Sequence, residues 1–367
     1  MFKCGYLSHG IYTGFGMKGN TLPCCYVTKS DKKYNWQPNN GLLNGNFLTE
    51  VRKTAIAGNV PDICSDCVKQ EKLTGTSPRL NNKYFDDETV KEVVTEEDVR
   101  YLQIRLSNVC NFKCTICSSN FSHLIGKEQG IKNPLESIND AEFNELKEKL
   151  PKMKNLQLLI FAGGEPFYNA SMLIDLLDYV PKTAEVAAHT NGSVFNKPLL
   201  DKFRTFKRAV LTFSFDGSNR FFNYQRSNGN WDDVINNVKR IKKEYPLIRL
   251  RCDSTVSCVT FPDLPNFLIE TEKLFGSRHV AIHFIQHPSY YQINLLKLEV
   301  LNKVKDLIND KVIIKNIDSA INNVPSNKTI NDFWNYTEYL KKNRTDINDY
   351  VPEIKDLIRE IDLPVSN

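Results

Sequence analysis

The residues best suited to chemistry in this 367-residue chain are its ten cysteines. Eight of them, Cys4, Cys24, Cys25, Cys64, Cys67, Cys110, Cys114 and Cys117, lie in the first third. The first residues, Met1-Phe2-Lys3-Cys4-Gly5, lack the apolar core of a secretory signal, so a cytoplasmic location is expected. Reducing conditions there disfavour structural disulfides, and metal binding or catalysis becomes the reason for so many thiols. Three of them form a C-x3-C-x2-C run, Cys110-Asn-Phe-Lys-Cys114-Thr-Ile-Cys117, directly after a strand-like stretch. Three thiolates on one tight loop can cap three irons of a [4Fe–4S] cubane and leave the fourth iron without a protein ligand. Zinc is the competing occupant, but structural zinc takes four ligands, and the nearest candidate, His123, comes six residues later.

The elements that must position this loop follow from hydrophobic periodicity. From Val99 onward, short apolar alternation and longer amphipathic stretches take turns, the pattern of strand–helix units on a parallel sheet. Six strands are expected, at Tyr101–Ser107, Leu156–Ala162, Glu185–Thr190, Ala209–Phe215, Ile248–Ser257 and Val280–Gln286. Helices are expected at Ala141–Leu150, Met172–Val180, Leu199–Phe206, Asp232–Lys243, Leu264–Leu274 and Leu295–Leu307. Six units fall short of the eight that close a full barrel, so the fold class is α/β with a partial (β/α)6 barrel. Residues 69–98 read as a solvated connector, with acidic clusters at Asp86-Asp87-Glu88 and Glu96-Glu97-Asp98. The last part of the chain reads as further helices, a lid or edge cover.

Composition removes other classes. The balance of 48 Lys+Arg against 43 Asp+Glu leaves a net charge of +5, and 41% of residues are hydrophobic, as in a globular chain. Basic residues are interspersed with acids throughout, which argues against nucleic acid as a partner. No apolar run approaches the roughly 20 residues that span a bilayer, so no membrane segment is expected.

With these residues on the page, the chain resembles the radical S-adenosylmethionine (SAM) superfamily over about Val99 to Leu295. The C-x3-C-x2-C loop after the first strand is similar to that family's cluster loop, and Gly163-Gly164-Glu165-Pro166 at the end of the second strand is similar to its GGEP motif. Ser214-Phe-Asp216-Gly217 resembles its S-x-D-G, with Arg226 and Gly229 following, and Asn191 stands where the family often contacts the cofactor's ribose. The resemblance implies a cluster on Cys110, Cys114 and Cys117, and SAM contacts from Gly163, Gly164, Glu165, Asn191, Ser214, Asp216 and Arg226. It also implies the reaction: SAM chelates the open iron, an electron from the reduced cluster cleaves it, and a 5′-deoxyadenosyl radical abstracts a substrate hydrogen. An electron donor such as a flavodoxin or ferredoxin is then a required partner.

The N-terminal cysteines follow a C-x14-G-x4-C…C-x2-C spacing, Cys4, Gly19, Cys24, Cys64 and Cys67. This is similar to the first part of the SPASM and twitch modules, which implies a second [4Fe–4S] cluster on Cys4, Cys24, Cys64 and Cys67. Spacing alone serves a zinc knuckle equally well. The expected organisation is a twitch-like module over 1–68, the connector over 69–98, a radical SAM core over 99–295 and a helical extension over 296–367.

Alternation along the strands also places side chains in the barrel lumen. Outward positions pack on helices and are apolar, which leaves Arg105, Arg249, Arg251 and His283 facing in, with Asp216 and Asp253. Cys252 and Cys258 face out and read as core fillers. Guanidinium forks suit carboxylate or phosphate, so an anionic substrate is expected. The expected function is radical modification or oxidation of a peptide or protein side chain. The alternative is the same chemistry on a small sugar or nucleotide, and the competing class is a non-catalytic iron–sulfur or zinc protein.

Overall fold

The computed structural model describes residues 2–14, 21–27, 42–81, 85 and 89–360. Seven parallel strands form one sheet in sequential order: β1 Gly10–Gly14, β2 Tyr101–Arg105, β3 Leu158–Ala162, β4 Glu185–Thr190, β5 Arg208–Ser214, β6 Ile248–Val256 and β7 Val280–Phe284. The sheet remains open, with β1 and β7 at its edges. The fold is α/β of the radical SAM type.

Six strands were expected, and seven are present among the described residues. The extra one, β1, comes from the cysteine-rich N-terminal segment and pairs along β2 from Gly10↔Tyr101 to Gly14↔Arg105. Gly14 ends it at φ 135°, where a Cβ would lie 2.0 Å from the Arg105 carbonyl oxygen. No larger residue tolerates that approach.

Helices lie close to their expected places, and their ends have local causes. Asn139 and Glu142 form a capping box at the start of Asp140–Lys149, and the Asn196 and Asn230 side chains cap Lys197–Phe203 and Trp231–Glu244. Gly276, at φ 84°, stops Leu264–Phe275. Among the described residues no helix is long and apolar enough to cross a membrane.

Two cores lie on the two faces of the sheet. Outward residues such as Leu102, Ile104, Leu159, Phe161, Leu211, Phe213 and Cys252 are buried under the helices. Cys258 joins them, as expected of a core filler. Inward residues near the strand starts, Tyr101, Leu158, Ala187 and Val210, pack against Phe2, Cys4, Tyr6, Leu7, Val51, Ala55, Ile63, Phe85 and Val90. The N-terminal segment therefore plugs the floor of the lumen. The charged lumen expected from parity is therefore apolar at its lower levels. Residues 69–98 likewise pack more than a solvated connector does. Phe85, Val90 and Val94 are buried, Asp98 pairs with Lys91, and Glu96 pairs with Lys149. Asp86, Asp87, Glu88 and Gly19 lie outside the described residues.

Candidate active site

Catalytic groups on a parallel sheet gather at the carboxyl ends of the strands. Here the segment after β2 carries Cys110, Cys114 and Cys117, and neighbouring strand ends fix it from several directions. The backbone N–H groups of Gly164 and Glu165, after β3, donate to the carbonyls of Ser107 (3.0 Å) and Val109 (2.8 Å). A Cβ on Gly164 would stand 2.2 Å from the Val109 oxygen, so this glycine is required by the cysteine loop's own backbone. After β4, the Asn191 side chain donates to the Asn111 side-chain oxygen at 3.0 Å, and Asn111 in turn donates to the Ser193 hydroxyl at 2.8 Å. After β5, Lys113 and Thr115 donate through their backbones to Ser227 (3.0 Å) and Gln225 (2.8 Å).

Glu165 is buried and joins β3 to β4. Its carboxylate accepts from the Thr190 hydroxyl (2.7 Å) and from the backbone N–H groups of Asn191 (2.6 Å) and Phe167 (3.0 Å). Burial pushes its pKa up to about 7 despite these donors. Asp216, also buried, accepts from the backbone N–H of Thr255 at 2.9 Å and faces Arg226, whose Nε is 2.7 Å from its Oδ2. Arg226 reaches onward: its Nη1 lies 3.8 Å from the Cys114 sulfur. Ser214, at the end of β5, is half-buried on the same inward face as Asp253, its partner in register.

Burial raises the pKa of all three loop thiols, that of Cys117 to about 12, and the Cys114 charge adds to the rise at Cys110 and Cys117. Arg226 and Arg344 act against that rise at Cys114 and Cys117. His123, the candidate fourth zinc ligand, is otherwise engaged: its Nδ1 accepts the Cys110 backbone N–H at 3.3 Å. Burial and Lys127 hold its pKa down, which suits a neutral, accepting imidazole. The donor set thus fits a cluster with three thiolate ligands and a buried cation beside them. Gly163, Gly164, Glu165, Asn191, Asp216 and Arg226 surround it on neighbouring strand ends.

A second cysteine site lies at the opposite end of the lumen. Cys4, Cys24, Cys64 and Cys67 line one pocket together with Tyr6, Tyr26, Ile63 and Arg79. Cys25 does not line it; burial raises its pKa, and the neighbouring Tyr101 hydroxyl opposes that rise. Burial lifts the Cys4 thiol to about 11 and the Cys64 thiol to about 12, opposed by the Arg79 charge. Arg79 is held by both carboxylate oxygens of Glu71, at 3.0 and 2.5 Å, and donates to the Lys3 carbonyl at 2.6 Å. Among the described residues, no three His, Cys, Asp or Glu side chains are close enough to hold a single metal ion. That includes Cys110, Cys114 and Cys117, so the finding does not separate the two sites. Thiolates on a single zinc stand only about 4 Å apart, whereas a cubane spaces its ligands around a larger body.

Of the four basic residues expected in the lumen, two occupy the chamber wall. Arg105 is half-buried, its guanidinium 5.0 Å from the Tyr12 ring and 5.1 Å from the Phe121 ring. Arg251 is half-buried and in register with Thr212 and, beyond it, His189. Arg249, near the start of β6, and His283, on edge strand β7, are exposed. The residues missed by sequence reading are those that hold the loop from outside. Lys113, Glu128, Tyr336, Tyr339 and Arg344 form one bonded group, and no local pattern announces it because Arg344 lies 230 residues from Cys114.

The sequence profile described as "Radical SAM superfamily" matches residues 104–264. The chain is 28% identical over 235 residues to the radical SAM cyclopropyl synthase TigE of Paramaledivibacter caminithermalis, covering 59% of this chain and 48% of that protein. It is 27% identical over 124 residues to the GTP 3',8-cyclase of Syntrophomonas wolfei subsp. wolfei, covering 33% of this chain and 35% of that one. The chain thus spans about half the length of the first relative and about a third of the second. A solved structure of Streptococcus suis SuiB bound to precursor peptide SuiA aligns at 14% identity with a TM-score of 0.40, over 76% of this chain and 61% of that one. Residues 104–264, with the three-cysteine loop at their start, are therefore a domain of the radical SAM superfamily, which implies a [4Fe–4S] cluster and S-adenosylmethionine.

Proposed function

We propose that this chain is a radical SAM enzyme with two [4Fe–4S] clusters, one on Cys110, Cys114 and Cys117 and one on Cys4, Cys24, Cys64 and Cys67, and that it modifies or oxidises a peptide or protein side chain. The observation that carries the reading is the placement of the two cysteine sets at opposite ends of one lumen. The loop set stands at the carboxyl ends of the strands beside Glu165, Asn191 and Arg226, and the second set is built into the apolar floor. A cluster on the loop supplies the electron that cleaves SAM reductively, generating the radical that removes a substrate hydrogen. The chain's own residues bind and shield. Gly163, Gly164 and Glu165 present backbone and carboxylate to the methionine end of SAM, Asp216 orients Arg226, Asn191 holds the loop against β4, and Ser214 lines the wall.

The peptide reading is supported by the two guanidinium groups in the chamber wall, Arg105 and Arg251, which suit the carboxylates of an acidic segment. The nucleotide alternative draws on the likeness to a GTP 3',8-cyclase. The discriminating experiment incubates the reduced, anaerobically reconstituted chain with SAM and either an acidic peptide library or GTP. Hydrogen transfer from a labelled peptide into 5′-deoxyadenosine supports the peptide reading, and transfer from GTP alone overturns it.

A further inference from the structure

The helix Asn327–Asn343 lies far along the chain from the cysteine loop, yet its last turn and the following residue grip that loop. Arg344 donates through Nη1 to the backbone carbonyls of Lys113 (2.7 Å) and Cys114 (3.2 Å). Its Nε lies 2.8 and 2.9 Å from the two oxygens of Glu128, and the side chains are only 2% and 6% exposed. Lys113 Nζ reaches the same carboxylate at 2.9 Å, the Tyr339 hydroxyl donates to it at 2.8 Å, and the Tyr336 hydroxyl donates to the Thr115 carbonyl at 2.9 Å.

The charges in this group do not cancel. Two cations, Lys113 and Arg344, meet one anion, Glu128, leaving one net positive charge against the loop. Arg226, the other nearby guanidinium, is matched by Asp216. We infer that Arg344 is a positioning residue for the cluster loop, fixing its backbone and, with Lys113 and Glu128, giving the group a net positive charge that eases reduction of a cluster bound to Cys110, Cys114 and Cys117. A cluster gains negative charge on reduction, so a buried cation in a low-dielectric setting favours the reduced form. The inference rests on the proposed cluster assignment, and its test separates the two.

The test is a potentiometric titration of the full, anaerobically reconstituted chain, following the reduced-cluster paramagnetic signal that changes when SAM is added. Absence of such a signal from the unmutated protein overturns the cluster assignment itself. With the signal present, Arg344→Gln is expected to shift the reduction equilibrium about tenfold against the reduced form, about 59 mV for one electron. Glu128→Gln, which removes the anion, is expected to shift it the other way. Arg344→Lys and Tyr336→Phe keep the charge and are expected to stay near the parent value. A purely structural clamp would move no variant in opposite directions. The inference fails if Glu128→Gln leaves the potential unchanged or lowers it, a reading that stands even if Arg344→Gln fails to take up its cluster.

Discussion

Cys110, Cys114 and Cys117 hang from one short loop whose backbone is bonded to Gly164, Ser227, Gln225, Tyr336 and Arg344. Cys4, Cys24, Cys64 and Cys67 come from short segments distant in sequence, and what they share is the cavity they line. The first site is shaped by the barrel before any cofactor arrives. On the proposed assignment, the second adds a cluster to the apolar packing that joins its segments, as metal-coupled folding does elsewhere. A site of the first kind can lose its ligands and keep its fold, whereas one of the second kind should lose both.

The largest expected effect follows directly. Replacing Cys110, Cys114 and Cys117 together by Ala should abolish reductive SAM cleavage while shifting the melting temperature by only a few degrees. Thermal unfolding that drops as far as in a floor variant would break the contrast. Replacing Cys64 and Cys67 by Ala should leave SAM cleavage measurable but stop productive turnover and loosen the N-terminal segment, which limited proteolysis would detect as cleavage before Val99. Equal protease resistance in both variants would show that the floor holds without its cluster.

Much of this contrast was legible beforehand, and the illegible parts have physical reasons. Ligands seven residues apart or closer on one loop are a local signal, and so is the Gly-Gly-Glu-Pro run after β3. The seventh strand was not legible, because Ile11-Tyr12-Thr13 is too short to show alternation between its flanking glycines. The apolar floor was missed because Leu158, Ile160, Ala187 and Val210 sit at inward parity on strands whose outward positions are apolar too. Arg344 was missed because it is an ordinary residue at a helix end, and its importance comes from the loop it meets.

Substrate handling sharpens the comparison from inside the lumen. Arg251→Ala should weaken binding of an anionic substrate by roughly 2–5 kcal/mol, the cost of truncating a largely desolvated charge contact. Arg249, exposed near the strand start, should cost well under that when removed. SAM affinity measured alongside should barely move in either. A collapse of SAM binding would assign these arginines to the cofactor.

Glu165 gives the barrel-end site a pH signature. Its carboxyl ionises near 4.5 in an unfolded chain and near 7 when folded, because burial dominates. Between those values the folded protein retains a proton that the unfolded chain has released, so stability falls as pH rises across that window, by on the order of 3 kcal/mol. Melting curves from pH 4.5 to 8 should show this slope in the parent and lose it in Glu165→Gln. The smallest expected effect is at Cys25. Because this thiol does not line the floor cavity, Cys25→Ala should leave iron content unchanged, whereas Cys24→Ala should lower it.

The central claim is that two iron–sulfur sites with separate roles share one lumen, and iron content paired with SAM cleavage tests it most directly. In anaerobically reconstituted protein, about eight irons per chain are expected, with about four in the Cys110/Cys114/Cys117 variant and about four in the Cys64/Cys67 variant. Only the second variant should still cleave SAM. Stoichiometric zinc with little iron in the parent, or SAM cleavage that survives loss of Cys110, Cys114 and Cys117, would contradict the account.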